Sequence, residues 1–106
     1  MVDIQGFTQV VTALPGVTSA PHFDRTAFKL KRIFATLAAD GRSVNLKLTP
    51  DEQEFKCMLA PSIFSAVNNA WGKQGWTQMR LDISDEAEVA AALAMAHAHA
   101  TGRPGK

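Results

Sequence analysis

The fold is decided by residues 33–48, which read IFATLAADGRSVNLKL. Ile33–Ala38 is rich in residues that suit a sheet, and Ser43–Leu48 alternates apolar with polar side chains. Asp40-Gly41 lies between them and tolerates the positive φ that both central residues of a type I′ turn require. The stretch therefore predicts an antiparallel hairpin. The side chains predicted to share its apolar face are Val44, Leu46 and Leu48.

Upstream of this hairpin, the pattern predicts one helix and one or two further strands. Apolar residues recur at helical spacing over Asp3–Leu14, and Pro15-Gly16 ends that helix. Val17–Phe23 is expected to be an edge strand or a loop, because Pro21 cannot donate to a sheet ladder. Ala27–Lys31 alternates apolar residues with lysines and predicts a half-buried strand, after which the chain continues extended into the hairpin.

A second helix is predicted to begin directly after the hairpin. Thr49 suits the N-cap, Pro50 fits the first turn, and Glu52 completes a capping box. Pro61 ends the helix. Its predicted apolar face is made of Phe55, Met58 and Leu59.

The remainder of the chain predicts a strand followed by a long helix. Ser62–Val67 could be a short strand or a helical turn, and Asn68–Gly75 is predicted to be a loop. Trp76–Ile83 alternates as a strand does, and Ser84 is the predicted cap of an alanine-rich helix over Ala87–Ala100. The face of the strand expected to be buried carries Thr77, Met79, Leu81 and Ile83. The packed stripe of the helix is predicted to be Val89, Leu93 and Ala96.

This order of elements predicts an α+β fold, a two-layer sandwich with an antiparallel sheet and the helices on one face. A chain of 106 residues has room for one core. We therefore expect a single domain over residues 1–100, followed by a flexible tail at 101–106.

Composition restricts the class of partner. The formal net charge is +1, so nothing draws the whole molecule to DNA or to acidic membranes, and any electrostatic function depends on where the charges lie. The single cysteine, Cys57, gives no sign of an oxidising compartment. Met1–Gly6 lacks the pattern of a signal peptide, and no apolar run is long enough to span a bilayer. We therefore expect a cytoplasmic protein without a membrane partner.

Several short motifs follow one another in an order that is more specific than any one of them. They are Leu14-Pro15-Gly16-Val17, Phe28, Ile33-Phe34-Ala35-Thr36-Leu37, Asn45-Leu46-Lys47-Leu48, Trp71-Gly72-Lys73-Gln74-Gly75-Trp76 and Arg80-Leu81-Asp82. From about Leu14 to Ala100, the chain thereby resembles the MmcQ/YjbR family of small bacterial proteins. The resemblance implies a two-layer fold like that of secretion chaperones. It also implies a DNA-binding role through a double-wing-like surface, and it brings no catalytic residues.

The chain departs from the family at one turn. Relatives usually carry glycine between the strands around Phe28 and Phe34, whereas this chain has Leu30-Lys31-Arg32 there. Two alternatives remain open. The turn is either built without glycine, or one longer bent strand replaces the two.

The sheet face that the helices leave open is the candidate binding surface. Side chains expected on it, or beside it in the adjoining turn and loop, are Lys29, Lys31, Arg32, Lys47, Lys73, Trp76 and Arg80. The cations would neutralise phosphates, and Trp76 could stack on a base. The more common situation is that such residues only keep an open sheet face soluble. Trp76 could also pack against Phe34 across the sheet.

We therefore interpret the chain as a small binding module for DNA, without sequence specificity, cofactor or metal. The alternative is a protein-interaction or chaperone-like module, with a homodimer as one form of it. An enzyme is not expected. His97 and His99 diverge because they lie two residues apart on a helix, so they do not predict a metal site. Cys57 has no activating base nearby in the sequence.

Overall fold

Residues 1–102, which the computed structural model describes, form a six-stranded antiparallel sheet and four helices. The helices are α1 (Ile4–Thr12), α2 (Pro50–Leu59), α3 (Ala70–Lys73) and α4 (Glu86–Ala100). The strands are β1 (Thr18–His22), β2 (Arg25–Lys29), β3 (Ile33–Leu37), β4 (Ser43–Lys47), β5 (Phe64–Ala66) and β6 (Trp76–Arg80). Their order in the sheet is β1-β2-β3-β4-β6-β5. The predicted α+β class is confirmed, while residues 103–106 of the predicted tail lie outside the described residues.

The hairpin that decides the fold is present, but its turn is not type I′. β3 pairs with β4 through Ala35↔Leu46 and Leu37↔Val44. The loop has four residues, closed by the Ala38 N–H donating to the Ser43 carbonyl over 3.0 Å. Gly41 alone takes a positive φ, +73°. Because the loop is longer than two residues, one glycine is enough to reverse the chain.

The turn between β2 and β3 forms without glycine, so two strands are present and not one bent strand. The Leu30 N–H donates to the Arg32 carbonyl over 3.2 Å and the chain reverses at Leu30–Arg32. Lys31 therefore lies at the tip of a turn, exposed, and the prediction that it alternates with Lys29 on a strand is wrong.

A β-bulge in β3 decides the facing of two adjacent apolar residues. Phe28 pairs with Ala35, but Lys29 pairs with Ile33, so Phe34 is the extra residue. Phe34 is fully buried, with its ring edge-on to the His97 ring of α4 at 5.9 Å. Ile33 turns to the other side of the sheet. Phe34 and Trp76 thus lie on opposite faces, and the alternative that they pack together is wrong.

The core lies between one face of the sheet and the pair α1 and α4. Asp3 caps α1 by accepting from the Gly6 N–H over 2.8 Å, and the Phe7 ring of α1 packs edge-on against Phe28 at 5.6 Å. The apolar faces predicted for the hairpin and for α4 are confirmed as buried. They are Val44, Leu46, Leu48, Val89, Leu93 and Ala96.

The N-cap of α4 lies one residue later than predicted. Asp85, not Ser84, is the N-cap, and it exchanges capping-box hydrogen bonds with Glu88 over 2.8 and 2.9 Å. Ser84 is buried, and its hydroxyl donates to the Arg80 carbonyl. β6 ends at Arg80, so the alternation no longer applies at Ile83, which is 44% exposed instead of buried.

Helix α2 begins with the predicted capping box but does not pack as its pattern suggests. It lies against β5, at the edge of the sheet, and has no buried residue. Phe55, Met58 and Leu59 are 50%, 74% and 65% exposed. The expectation of a packed apolar face is therefore wrong, because a three-residue edge strand offers little surface to cover it.

The segment between α2 and β6 contains two short elements. The alternatives for Ser62–Val67 resolve to the strand β5. The predicted loop Asn68–Gly75 contains the helix α3, capped by the Asn69 side chain. The Gln53 amide of α2 ties this segment down by donating to the Gly72 and Trp76 carbonyls, each over 2.9 Å.

Candidate nucleic-acid interface

The sheet face opposite α1 and α4, here called the open face, carries most of the predicted candidates. Strand register places Ala27, Thr36, Asn45, Gln78 and Ser65 in one row across it. In the same alternation lie Lys29 of β2, Lys47 of β4, and Trp76 and Arg80 of β6.

A groove of about 640 Å³ runs over this face. Ile33, Thr36 and Asn45 belong to its floor, where the bulge in β3 has turned Ile33 outwards. The two-residue turn between β1 and β2 forms one wall. The other wall comes from the segment around Trp71, and Trp76 lies beside it. A volume of this size is in the range of sites that bind small molecules.

Both walls of the groove carry an exposed aromatic ring. Phe23 is 94% exposed, and its φ of +59° is uncommon for a residue other than glycine. It is the first central residue of the turn closed by the His22↔Arg25 pair, a position where type II′ turns favour glycine. On the other wall Trp71 is 58% exposed, and its backbone N–H is held by the Asn69 side-chain oxygen over 2.8 Å.

Arg25 is a half-buried cation fixed at the groove. Its Nε donates to Thr36 Oγ1 over 3.0 Å and its Nη2 donates to the Thr36 carbonyl over 2.8 Å. Burial lowers the pKa of Arg25, and the nearby carboxylates Asp24 and Asp40 oppose that effect. Two hydrogen bonds leave three of the five guanidinium N–H donors without a partner among residues 1–102. Arg25 can therefore still bind an anion.

Lys29, Lys31, Arg32 and Lys73 are exposed. Lys47 is half-buried, and its ammonium donates to the Gln74 carbonyl over 2.6 Å. Burial and, secondly, the charge of Arg32 lower the pKa of Lys47. The structure thus brings Arg32 and Lys47 close enough to repel each other. An anion placed between them would relieve that repulsion.

Arg80 differs from the other cations because it already has a counterion. Its Nε and Nη2 donate to the two carboxylate oxygens of Asp82 over 3.2 and 2.8 Å. The hydrogen bonds, together with the charge attraction, raise the pKa of Arg80 and lower the pKa of Asp82. The position of Arg80 on the open face is as predicted, but its charge is largely compensated there.

Charge is segregated between the layers of the fold. Seven of the ten carboxylates cap or lie in α1, α2 and α4, and six of them are N-caps or lie in the first turn, where the helix dipole favours negative charge. The seven are Asp3, Asp51, Glu52, Glu54, Asp85, Glu86 and Glu88. Among the lining residues of the groove that the structure describes, Asp24 is the one acid and Arg25 the one arginine or lysine. The surplus of cations lies elsewhere on the open face, where strand register places Lys29 and Lys47.

The binding surface predicted from the sequence did not include Phe23, Arg25 or Trp71. Phe23 and Arg25 belong to a tight turn whose position depends on the pairing of β1 with β2, and Asp24-Arg25 between two strands was the local signal for it. Trp71 stood in a motif that was noted but not assigned to a site. These residues line one groove because the strand order brings the β1–β2 turn and the helix α3 to the same face of the sheet.

Other chemistry has less support in the structure. Within residues 1–102, no three His, Cys, Asp or Glu side chains are grouped so as to hold a metal ion. The His97 ring contacts the Pro15 carbonyl at 2.9 Å and packs on Phe34, which gives it a structural role. Burial raises the pKa of the Cys57 thiol, so the nucleophilic thiolate is disfavoured. In the described part of the chain, no helix has the length and apolar character needed to cross a membrane.

Comparison with known proteins identifies a solved structure with a similar fold and the family of this chain. The crystal structure of Deinococcus radiodurans protein DR2400, which has a DUF419 domain, superposes with a TM-score of 0.80, covering 99% of this chain and 84% of that one. The two sequences are 18% identical, so this likeness concerns the fold. None of the curated proteins matches in sequence. The YjbR family model matches residues 12–99, and the chain therefore belongs to the YjbR family.

Proposed function

We propose that this protein binds DNA without sequence specificity through the open face. The observation that carries the proposal is the groove, which has an exposed aromatic ring on each wall and Arg25 in its lining, on a sheet face that also carries Lys29 and Lys47. Cations neutralise phosphates, and aromatic rings add apolar and stacking contact. The resemblance to the MmcQ/YjbR family also implies a DNA-binding role.

The cations with uncompensated charge are the ones assigned to phosphate contact. They are Lys29, Lys31, Arg32 and Lys47, with Lys73 on α3 as a further contact. Arg80 contributes less, because Asp82 must first be displaced from it. Contacts of this kind position a protein on the strand without reading its sequence. We therefore expect similar affinities for DNA of different base composition.

The test is fluorescence anisotropy of labelled DNA over a range of salt concentrations. Four phosphate contacts predict a slope of log affinity against log salt of about −3.6 on duplex and about −2.8 on single strands. Arg32→Gln should reduce the slope by nearly one contact. The matched control is Arg42→Gln, which removes the same charge from an exposed arginine in the β3–β4 loop. Absence of binding to either form of DNA at 50 mM salt, about the lowest screening in common use, refutes the proposal.

A second candidate, a protein-interaction module, is supported by α2. The side chains of Phe55, Met58 and Leu59 are exposed together on this helix beside the edge strand β5. Exposed apolar patches commonly mark protein contacts, and a second copy of the chain is the simplest partner. A solution mass twice that of the chain, reduced to that of the monomer by Met58→Asp, supports this candidate. A monomer at high concentration contradicts it.

A further inference from the structure

We infer that the groove accepts an unpaired nucleobase between Phe23 and the two tryptophans, so that the protein selects single-stranded over duplex DNA. The inference rests on the proposed function and specifies which form of DNA the open face binds. It is argued from the exposure of the rings, the backbone conformation of Phe23, and the cation Arg25 in the lining of the groove.

Phe23 has an unfavourable backbone conformation, and its side chain is almost unpacked. Its left-handed φ of +59° carries a steric cost that glycine would avoid. The ring remains 94% exposed, and its ring contact is the edge of His22 at 4.9 Å. Local strain of this kind concentrates at functional sites. A base stacked on the ring would provide the contact that residues 1–102 do not.

Trp71 is held in place at the opposite wall by an equally specific local structure. Asn69 fixes its N–H, and Gly72 follows it at a position where a Cβ atom would lie 2.0 Å from the Val67 carbonyl oxygen. The four-residue helix α3 is thereby packed tightly on its own loop and leaves the indole 58% exposed on the rim. Trp76, half-buried at the start of β6, lies next to it in the same groove.

The remaining polar groups match the other parts of a nucleotide. Arg25 retains guanidinium donors for a phosphate, and Asn45 on the floor has an amide that can pair with a base edge. In a duplex, the faces of the bases are covered by their neighbours and only the edges are accessible. The aromatic walls can therefore be used by an unpaired strand, whose bases can splay out and stack.

The test compares labelled dT12 with a duplex of twelve base pairs, using anisotropy at 50 mM salt. The dT12 strand should bind about tenfold more tightly or better, since stacking contributes on the order of 1–3 kcal/mol per base. Phe23→Gly should weaken dT12 binding by about fivefold or more and leave duplex binding unchanged. Its urea midpoint should equal or exceed that of the parent, because glycine removes the left-handed strain. Lost binding then cannot be ascribed to unfolding.

Three further variants complete the test. Trp71→Ala should weaken dT12 binding and Trp71→Phe should restore most of it, since a ring is what the site requires. Ile4→Ala, which removes a side chain that is 48% exposed on α1, on the opposite side from the open face, is the control and should change neither affinity. Equal affinities for dT12 and duplex, or an unchanged dT12 affinity in Phe23→Gly, overturn the inference while the proposed function stands. Loss of all binding in the parent protein would instead overturn the proposed function.

Discussion

Replacing Gly75 by alanine should destabilise the protein by about 3–5 kcal/mol, because two independent costs meet at this residue. Its φ is +108°, outside the region that L side chains ordinarily adopt, which costs about 1–2 kcal/mol. A Cβ atom here would also lie 1.9 Å from the Leu48 carbonyl oxygen, so the backbone itself must move.

The movement would break hydrogen bonds that join the hairpin to β6. The Gly75 carbonyl accepts from the Leu48 N–H over 3.1 Å and from the Thr77 hydroxyl over 2.9 Å. Leu48 and Thr77 are both fully buried, so water cannot replace the lost partner. Each buried group left unsatisfied costs about 1–3 kcal/mol.

The assay is urea unfolding followed by far-UV circular dichroism. With an m-value of about 1.5 kcal/mol/M, the midpoint of Gly75→Ala should fall by roughly 2–3 M. Gly102→Ala is the matched control, because Gly102 has a φ of +74° but no atom within 4 Å of the added Cβ. It should cost no more than about 1–2 kcal/mol. If the two variants have the same midpoint, the close approach at Leu48 does not constrain the fold and the reasoning is refuted.

Three other outcomes are expected. Thr49→Ala removes one side of the capping box of α2 and should cost about 1 kcal/mol in urea unfolding; no loss would mean that α2 adds little to stability. Arg32→Ala should raise the pKa of Lys47 in an NMR titration but leave it below the ordinary value, since burial is the larger cause of its depression. Because the folded protein releases this proton before the unfolded chain does, stability should rise with pH just below the ordinary lysine pKa, and less steeply in the variant; an unchanged Lys47 titration would contradict the contact. Asp82→Asn frees the charge of Arg80 and should tighten DNA binding several-fold at low salt, whereas unchanged affinity would place Arg80 outside the interface.

The parts of the fold that the sequence predicts well are those in which one local pattern has one physical solution. The alternation around Leu46 is compatible only with a strand that has one buried face, and Thr49 with Glu52 forms the capping box that the spacing requires. Such patterns are satisfied by neighbours in the sequence. Tertiary contacts have little opportunity to override them.

The parts that were missed depend on partners distant in the sequence. Periodicity identifies the apolar face of α2 but cannot say whether anything covers it, and the short edge strand β5 leaves that face exposed. The helix α3 is too short to show a helical period. For the site, the strand alternation correctly places Lys47 and Trp76 on the open face. Phe23 and Trp71 are brought to it by strand order, which no local pattern contains.

The bulge in β3 has a consequence for how this chain can vary. The inserted residue lets the adjacent residues Phe34 and Ala35 both face the core, and it leaves Ile33 at the floor of the groove. Pairing of β2 with β3 without the bulge would turn Phe34 to the groove and Ile33 to the core, because a strand alternates strictly. The shape of the groove and the stability of the fold therefore both depend on this bulge. A substitution at Ile33 would change the lining of the groove without moving the strand. A shift of the strand by one position would alter both the groove and the core.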